Sequence, residues 1–134
     1  MPLSVSPPPP GGLSIGPLTV AQGRGRLVVT GEIDIATSGE LASVLAALLD
    51  GAPPAALELD FGGVRFLDSS GILVLLRAQG RAADRGCRLT VADVQPTVRR
   101  VLEITGVLEL LGLGVPADPL TTPRRPADDA APTR

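Results

Sequence analysis

Four consecutive residues, Asp68, Ser69, Ser70 and Gly71, carry the clearest chemistry in this sequence. They stand before an apolar run that is typical of a helix start. Aspartate and serine are good N-cap residues because their side-chain oxygens accept hydrogen bonds from the free N–H groups of the first turn. The same N–H groups and the helix dipole also stabilise an anion, so a serine here is well placed to carry a phosphoryl group. The four residues therefore allow two interpretations, a helix cap and a phosphorylation site.

Two further acidic residues, Glu32 and Asp34, follow an earlier predicted strand. Ligand sites in α/β proteins lie beyond the carboxyl ends of strands, so we expect the loop with Glu32 and Asp34 to be a neighbour in space of Asp68, Ser69 and Ser70. A purely structural interpretation stays open on these residues alone. Aspartate is common in turns, and Asp68 with Ser69 would cap a helix without any further role.

Catalytic interpretations of Ser69, Ser70 and the acidic residues lack necessary partners, since the chain contains neither histidine nor lysine. A serine hydrolase needs a base beside its nucleophile, and both a phosphate-binding P-loop and a phosphoaspartate receiver domain need a lysine. A hydrolase that used Asp34 and Asp68 would need one protonated carboxyl, whereas N–H donors at a helix start favour the ionised form. We therefore predict no catalytic activity, no metal site and no cofactor.

The charge and cysteine content exclude several other classes of function. The net charge is −2 and all twelve basic residues are arginine, so the chain lacks the basic field of nucleic-acid-binding proteins. Its single cysteine, Cys87, excludes an internal disulfide and is expected to be a small buried apolar residue. The sequence has neither the pattern of a signal peptide nor about 18 uninterrupted apolar residues, so we expect a cytoplasmic protein without a membrane span.

Composition divides the chain into one globular domain and two proline-rich ends. Residues 1–12 and 115–134 each contain five prolines and few large apolar side chains, so we predict a disordered arm and a disordered tail. The domain is predicted at residues 13–114. Because Phe61 and Phe66 are the only aromatic residues of the chain, the core must be aliphatic.

Periodicity within the domain predicts the order β, β, α, β, α, β, α. An edge strand, Leu13–Val20, is predicted to pair as a hairpin with the strand Arg26–Thr30, and a helix follows at 38–49 with Thr37 and Ser38 as candidate N-caps. The strand Ala56–Asp60 is followed by a turn and by a helix at 69–85, whose apolar positions are Ile72, Leu73, Leu75, Leu76 and Ala83. A strand Arg88–Ala92 and a helix at 96–104 complete the order. Val107–Leu113 fits either a short helical turn or a final strand. This order predicts an α/β fold, a mixed four- to five-stranded sheet with an N-terminal hairpin and helices packed on it.

Three motifs and their separation resemble a known family. They are Gly-Glu-Ile-Asp at residues 31–34, Phe-Leu-Asp-Ser-Ser-Gly at residues 66–71, and a Pro-x-Val-x-Arg helix that ends in Thr-Gly at residues 96–106. Together they resemble the STAS domain, and specifically the small stand-alone anti-sigma factor antagonists of bacterial partner-switching systems. The resemblance covers about residues 13–114 and implies the STAS fold.

The resemblance also implies a function. In that family the unphosphorylated antagonist binds an anti-sigma factor that is also a serine kinase, which frees the sigma factor, and phosphorylation of a serine abolishes binding until a phosphatase reverses it. By position the phosphate acceptor is Ser69, with Ser70 as the second candidate. The partner-binding residues are expected to be Glu32, Asp34, Asp68, Ser69, Ser70 and Gly71. The protein is expected to be a monomer or weak dimer, and a STAS module that binds a partner or ligand without phosphorylation is the alternative.

Overall fold

A computed structural model describes residues 11–113 of the chain. The predicted tail, and the predicted arm apart from its last two residues, lie outside the described residues. The elements are β1 (Leu13–Ala21), β2 (Arg24–Ile33), α1 (Ser38–Asp50), β3 (Ala56–Leu67), α2 (Ser69–Asp84), β4 (Arg88–Ala92) and α3 (Pro96–Ile104). The predicted order of strands and helices is therefore confirmed within this part of the chain.

The four strands form one mixed sheet in the order β1-β2-β3-β4. β1 pairs with β2 in an antiparallel hairpin, whereas β2, β3 and β4 are parallel. The parallel connections need helices, which α1 and α2 supply, and these two helices pack against each other. The fold is thus α/β, as predicted.

Val107–Leu113 contains a short helical turn, the first of the two predicted alternatives, and is not a fifth strand. The segment forms consecutive turns, in which the backbone N–H of Leu111 donates to the carbonyls of Val107 and Leu108. The carbonyl of Leu111 accepts a hydrogen bond from Val91 on β4, at 3.0 Å. The turns therefore lie along the edge of β4 and accept a hydrogen bond from one of its backbone N–H groups without extending the sheet.

β2 and β3 are longer than the sequence predicted. Residues 31–33, expected in a loop, continue β2, and the expected turn after Asp60 continues β3 to Leu67. Gly63 permits close packing of the two strands, because a Cβ at this position would lie 2.4 Å from the Thr30 side chain on the neighbouring strand. Pairing with β2 therefore outweighs the local turn signal, at the cost of register shifts between the strands.

Alternation along β2 and β3 separates a buried face from a half-exposed face. Leu27, Val29 and Ile33 of β2 are buried, whereas Arg26, Val28, Thr30 and Glu32 are half-exposed. The core is aliphatic as expected, since Phe61 is its one aromatic member among the described residues, and Cys87 is buried within it. No helix in residues 11–113 has the length and hydropathy needed to cross a bilayer.

Candidate functional site

The carboxyl ends of β2 and β3 meet at the site. Ile33 at the end of β2 pairs with Leu67 at the end of β3, and the backbone N–H of Asp68 donates to the carbonyl of Ile33 at 3.3 Å. Asp34 and Asp68 directly follow these two paired residues. The structure therefore brings together the two acidic segments that the sequence placed beyond the strand ends.

Asp68 is the N-cap of α2. It has extended backbone angles (φ −116°, ψ −170°), and its Oδ1 accepts hydrogen bonds from the backbone N–H of Ser70 at 3.0 Å and from Ser70 Oγ at 2.5 Å. One carboxylate oxygen thus satisfies an unpaired donor of the first turn and holds the Ser70 hydroxyl. The capping interpretation is correct for Asp68, and the cap uses Ser70 as its partner.

Ser69 is placed differently from Ser70 although the two are adjacent. Ser69 is exposed at the first position of α2, whereas Ser70 is half-buried. Within residues 11–113 the Ser69 hydroxyl makes no hydrogen bond, while that of Ser70 donates to Asp68. The hydroxyl available to an incoming group at this helix start is therefore that of Ser69.

Gly71 lies beneath the site and faces the core. It is buried, and an added Cβ would lie 2.4 Å from Leu67 Cδ1 and 2.6 Å from Ile33 Cγ2. This position differs from the expected partner contact. The absence of a side chain lets the first turn of α2 sit directly on the ends of β2 and β3, which sets the height of Ser69 above the sheet.

Asp34 is held by a compact loop between β2 and α1. Its Oδ1 accepts hydrogen bonds from the backbone N–H groups of Ala36 at 2.9 Å and Thr37 at 3.1 Å. The buried hydroxyl of Thr37 donates to the carbonyl of Glu32 at 2.8 Å and accepts from the N–H of Asp34 at 3.0 Å. Thr37 occupies the N-cap position of α1 without a side-chain cap bond, because its hydroxyl ties the loop instead. Sequence reasoning proposed it only as a cap.

Glu32 lies on the half-exposed face of the sheet rather than in a loop. It belongs to β2, pairs with Phe66 and forms an ion pair of 3.4 Å with Arg65. Its neighbour Ile33 is buried, so alternation directs Glu32 away from the core. Glu32 therefore lies on the face of the sheet opposite the core, within β2 and not in the loop that carries Asp34.

Two exposed apolar residues lie on the segments that carry Asp34 and Ser69, and neither was predicted as a site residue. Ile35, next to Asp34, is 86% exposed, and Leu73, one helical turn after Ser69, is 47% exposed. Residues four apart lie on the same helix face, so Leu73 adjoins Ser69. Of the apolar positions predicted for this helix, Leu73 and Ala83 are exposed, and α2 buries Gly71, Ile72, Leu75, Ala78 and Ala82. The one feature of the sequence that could have indicated a role for Ile35 is that it is apolar and lies next to Asp34 in a loop.

The site therefore consists of an exposed hydroxyl at a helix start, two fixed carboxylates and an apolar border. The N–H groups of α2 favour an anion on Ser69, whereas Asp34 and Asp68 oppose one. In the part of the chain that the structure describes, no three His, Cys, Asp or Glu side chains are grouped so that they could hold a metal ion. This chemistry suits a group that is modified or bound by another protein.

Comparisons with known proteins agree with this architecture. A family model described as "Mlab, STAS domain" matches residues 18–112. An anti-sigma F factor antagonist of Paenibacillus polymyxa is 29% identical over 90 residues, which are 66% of this chain and 77% of that protein. The crystal structure of an anti-sigma factor antagonist from Mycobacterium paratuberculosis is 24% identical with a TM-score of 0.65, covering 78% of this chain and 87% of that one. A sulfate transporter family protein from Wolinella succinogenes is also 24% identical, with a TM-score of 0.59 and coverage of 70% and 75%. The two structural likenesses show a shared fold.

Proposed function

Because this chain belongs to the STAS domain family, we propose that it is an anti-sigma factor antagonist without catalytic turnover of its own. It binds an anti-sigma factor serine kinase while Ser69 is unphosphorylated, and phosphorylation of Ser69 ends that binding. A serine phosphatase restores the free hydroxyl. The likeness to the Paenibacillus polymyxa antagonist supports the general role.

The observation that carries the proposal is the contrast between the two serine hydroxyls. Ser69 is exposed, whereas the Ser70 hydroxyl donates to the Asp68 cap at 2.5 Å. A kinase must approach its acceptor hydroxyl from solvent, and transfer to Ser70 would first break the hydrogen bond between its hydroxyl and Asp68. This difference supports Ser69 as the acceptor.

The proposed switch acts through charge at an intact helix start. A phosphate on Ser69 adds about −1.5 to −2 charges at neutral pH, and the helix N-terminus offsets part of this charge, so the fold survives. A unit like charge about 6 Å from the phosphate would cost about 3 kcal/mol at an effective dielectric of 20, and Asp68, adjacent to Ser69 in the chain, supplies a like charge. A partner that fits the bare hydroxyl must also desolvate the phosphate. We expect binding to weaken at least about 100-fold, or about 2.7 kcal/mol.

The apolar border gives the partner a surface to exclude water around Ser69. Ile35 and Leu73 lie on the two segments that carry Asp34 and Ser69, and both are exposed in the free protein. Exposed apolar groups beside a polar centre are typical of protein interfaces. Placing a phosphate within such a contact would be costly, which supports a switch that acts on binding.

The test combines the full chain with its candidate anti-sigma kinase and ATP, and mass spectrometry locates any phosphate. We expect label on Ser69 in the wild type and in Ser70→Ala, and no label in Ser69→Ala. In a pull-down with the kinase, Ser69→Ala should bind constitutively and Ser69→Glu weakly, while both melt close to the wild type.

Two results would contradict the proposal in different ways. Label that persists in Ser69→Ala but is lost in Ser70→Ala would move the acceptor to Ser70. Equal kinase binding by the wild type, Ser69→Ala and Ser69→Glu, without any label, would favour the alternative of a STAS module that binds its partner without phosphorylation.

A further inference from the structure

A cleft of about 400 Å³ crosses the half-exposed face of the sheet at the end remote from Ser69. It is built from two adjacent rows of paired residues. The first row runs from β1 to β4 through Ala21, Arg24, Ala56 and Arg88, and the second through Thr19, Arg26, Glu58 and Thr90. Ala56 lies on β3 between the two arginines of the first row. Because the side chain of Ala56 is a single methyl group, it leaves space above the sheet between the two arginines.

Beside the first row, the single cation Arg26 is surrounded by three carboxylates. Arg26 is ion-paired to Glu58 beside it, and its guanidinium also donates to Asp60 and Asp93 at 2.9 Å each. The carboxylate of Glu58 is therefore already engaged by a cation. The lining contains three arginines and one glutamate, and Asp60 and Asp93 adjoin it through Arg26, so the positive charge that carboxylates leave free belongs to Arg24 and Arg88.

Arg24 and Arg88 have no acidic partner among the described residues. Four arginines of residues 11–113 make no ion pair there, Arg24, Arg77, Arg88 and Arg100, and two of the four line this one cleft. Both are exposed and stand on strands separated only by β3, about 9.6 Å apart at two strand spacings. Such long side chains can both reach an anion seated over Ala56.

We propose that this cleft binds a small phosphorylated molecule, with Arg24 and Arg88 donating to its phosphoryl oxygens. Guanidinium groups bind phosphate oxygens in pairs of parallel hydrogen bonds, and the hydroxyls of Thr19 and Thr90 add donors at the rim. The volume lies in the range of small-molecule sites. The lining contains no aromatic ring, so the phosphoryl group provides the recognition.

This site is independent of the proposed switch. Ala56 and Leu67 lie at opposite ends of β3, roughly 30 Å apart at about 3.3 Å per residue after allowance for its irregularities. No partner protein is needed for the cleft to bind its ligand. Binding at the cleft can therefore fail or succeed whatever the role of Ser69.

The experiment titrates the full-length protein with inorganic pyrophosphate and follows backbone amide shifts by NMR. We expect the shifts to centre on Arg24, Ala56 and Arg88, with a dissociation constant of about 1 mM or lower that rises with ionic strength. Shifts centred on Ser69 and Ser70 would overturn the proposal, because they would place the anion at the start of α2.

Variants distinguish a seated ligand from general charge attraction. Arg24→Gln and Arg88→Gln should each weaken binding at least about tenfold, whereas Arg100→Gln, which removes an equally unpaired arginine from α3, should leave it unchanged. Ala56→Leu keeps the charge and fills the space between Arg24 and Arg88, so it should abolish binding, with Ala56→Val as the milder replacement if the leucine variant unfolds. Equal weakening by all three arginine variants, or full binding by both Ala56 variants, would refute the cleft as the site.

Discussion

The two adjacent serines at the start of α2 show how much function depends on the direction of one side chain. Ser70 lends its hydroxyl to the Asp68 cap, and Ser69 leaves its hydroxyl exposed. Both residues are equally good at a helix start, so sequence could place them there but could not assign their roles from propensity. Only the family resemblance favoured Ser69, and the geometry adds a physical reason for that choice.

Gly71 gives a test of packing beneath the site. Gly71→Ala should lower the free energy of unfolding by about 1–3 kcal/mol, because the new methyl would overlap Leu67 and Ile33, both buried and unable to yield freely. Chemical denaturation measures the loss. Gly80→Ala in the same helix is the matched control: nothing lies within 4 Å of its added Cβ, so we expect a gain of about 0.5–1 kcal/mol. Equal effects of the two variants would show that α2 does not rest on the strand ends as described.

At the scale of elements, the loop between β2 and α1 depends on Thr37. Thr37→Val keeps the shape of the side chain but leaves the N–H of Asp34 and the carbonyl of Glu32 without their shared partner. We expect a loss of about 1–3 kcal/mol in the free energy of unfolding, together with weaker partner binding as Asp34 loses its fixed position. Thr97→Val, at an exposed threonine in the first turn of α3, should stay within about 0.5 kcal/mol of the wild type. A Thr37→Val protein as stable as Thr97→Val would contradict the role of this hydroxyl.

Elements whose signals are local were predictable from sequence, and those that depend on a neighbour were not. β4 and α3 have the predicted bounds because alternation, Pro96 and the following Gly106 mark them in the chain itself. β2 and β3 were predicted too short, since Gly31 and Gly63 resemble breaks until the opposite strand is present. The position of Asp34 and Asp68 beyond the strand ends followed from the predicted topology. The position of Glu32 on one face of the sheet could not be predicted, because residues 31–33 were not recognised as part of β2.

At the scale of the whole molecule, Cys87 links stability to pH. It is buried, and burial raises the pKa of its thiol. The unfolded thiol ionises near its ordinary value of about 8.5, before the folded one, so the folded state is progressively disfavoured as pH rises above that value. The chain has no lysine or tyrosine to titrate in the same range. Between about pH 8.5 and 11, stability should therefore fall by up to about 1.4 kcal/mol per pH unit, and less once the folded thiol ionises.

The comparison with Cys87→Ala isolates this contribution. Melting curves recorded across the same pH range should show the decline in the wild type and a nearly flat profile in the variant, after both are referred to their own stability at pH 7. Parallel profiles would mean that the thiol is not shielded from ionisation by the core.

The two halves of β3 differ in their number of neighbouring strands, and this difference affects the rate at which their amide hydrogens exchange. Its first half, Ala56–Asp60, pairs with β2 on one side and β4 on the other, whereas the half leading to Asp68 pairs only with β2. Amide hydrogens in the first half should exchange with solvent only when the whole sheet comes apart, while those of the second half that point away from β2 should exchange through smaller fluctuations. The first half of β3 should therefore exchange slowly and the second half faster, and Ser69 and Ser70 follow the faster-exchanging half.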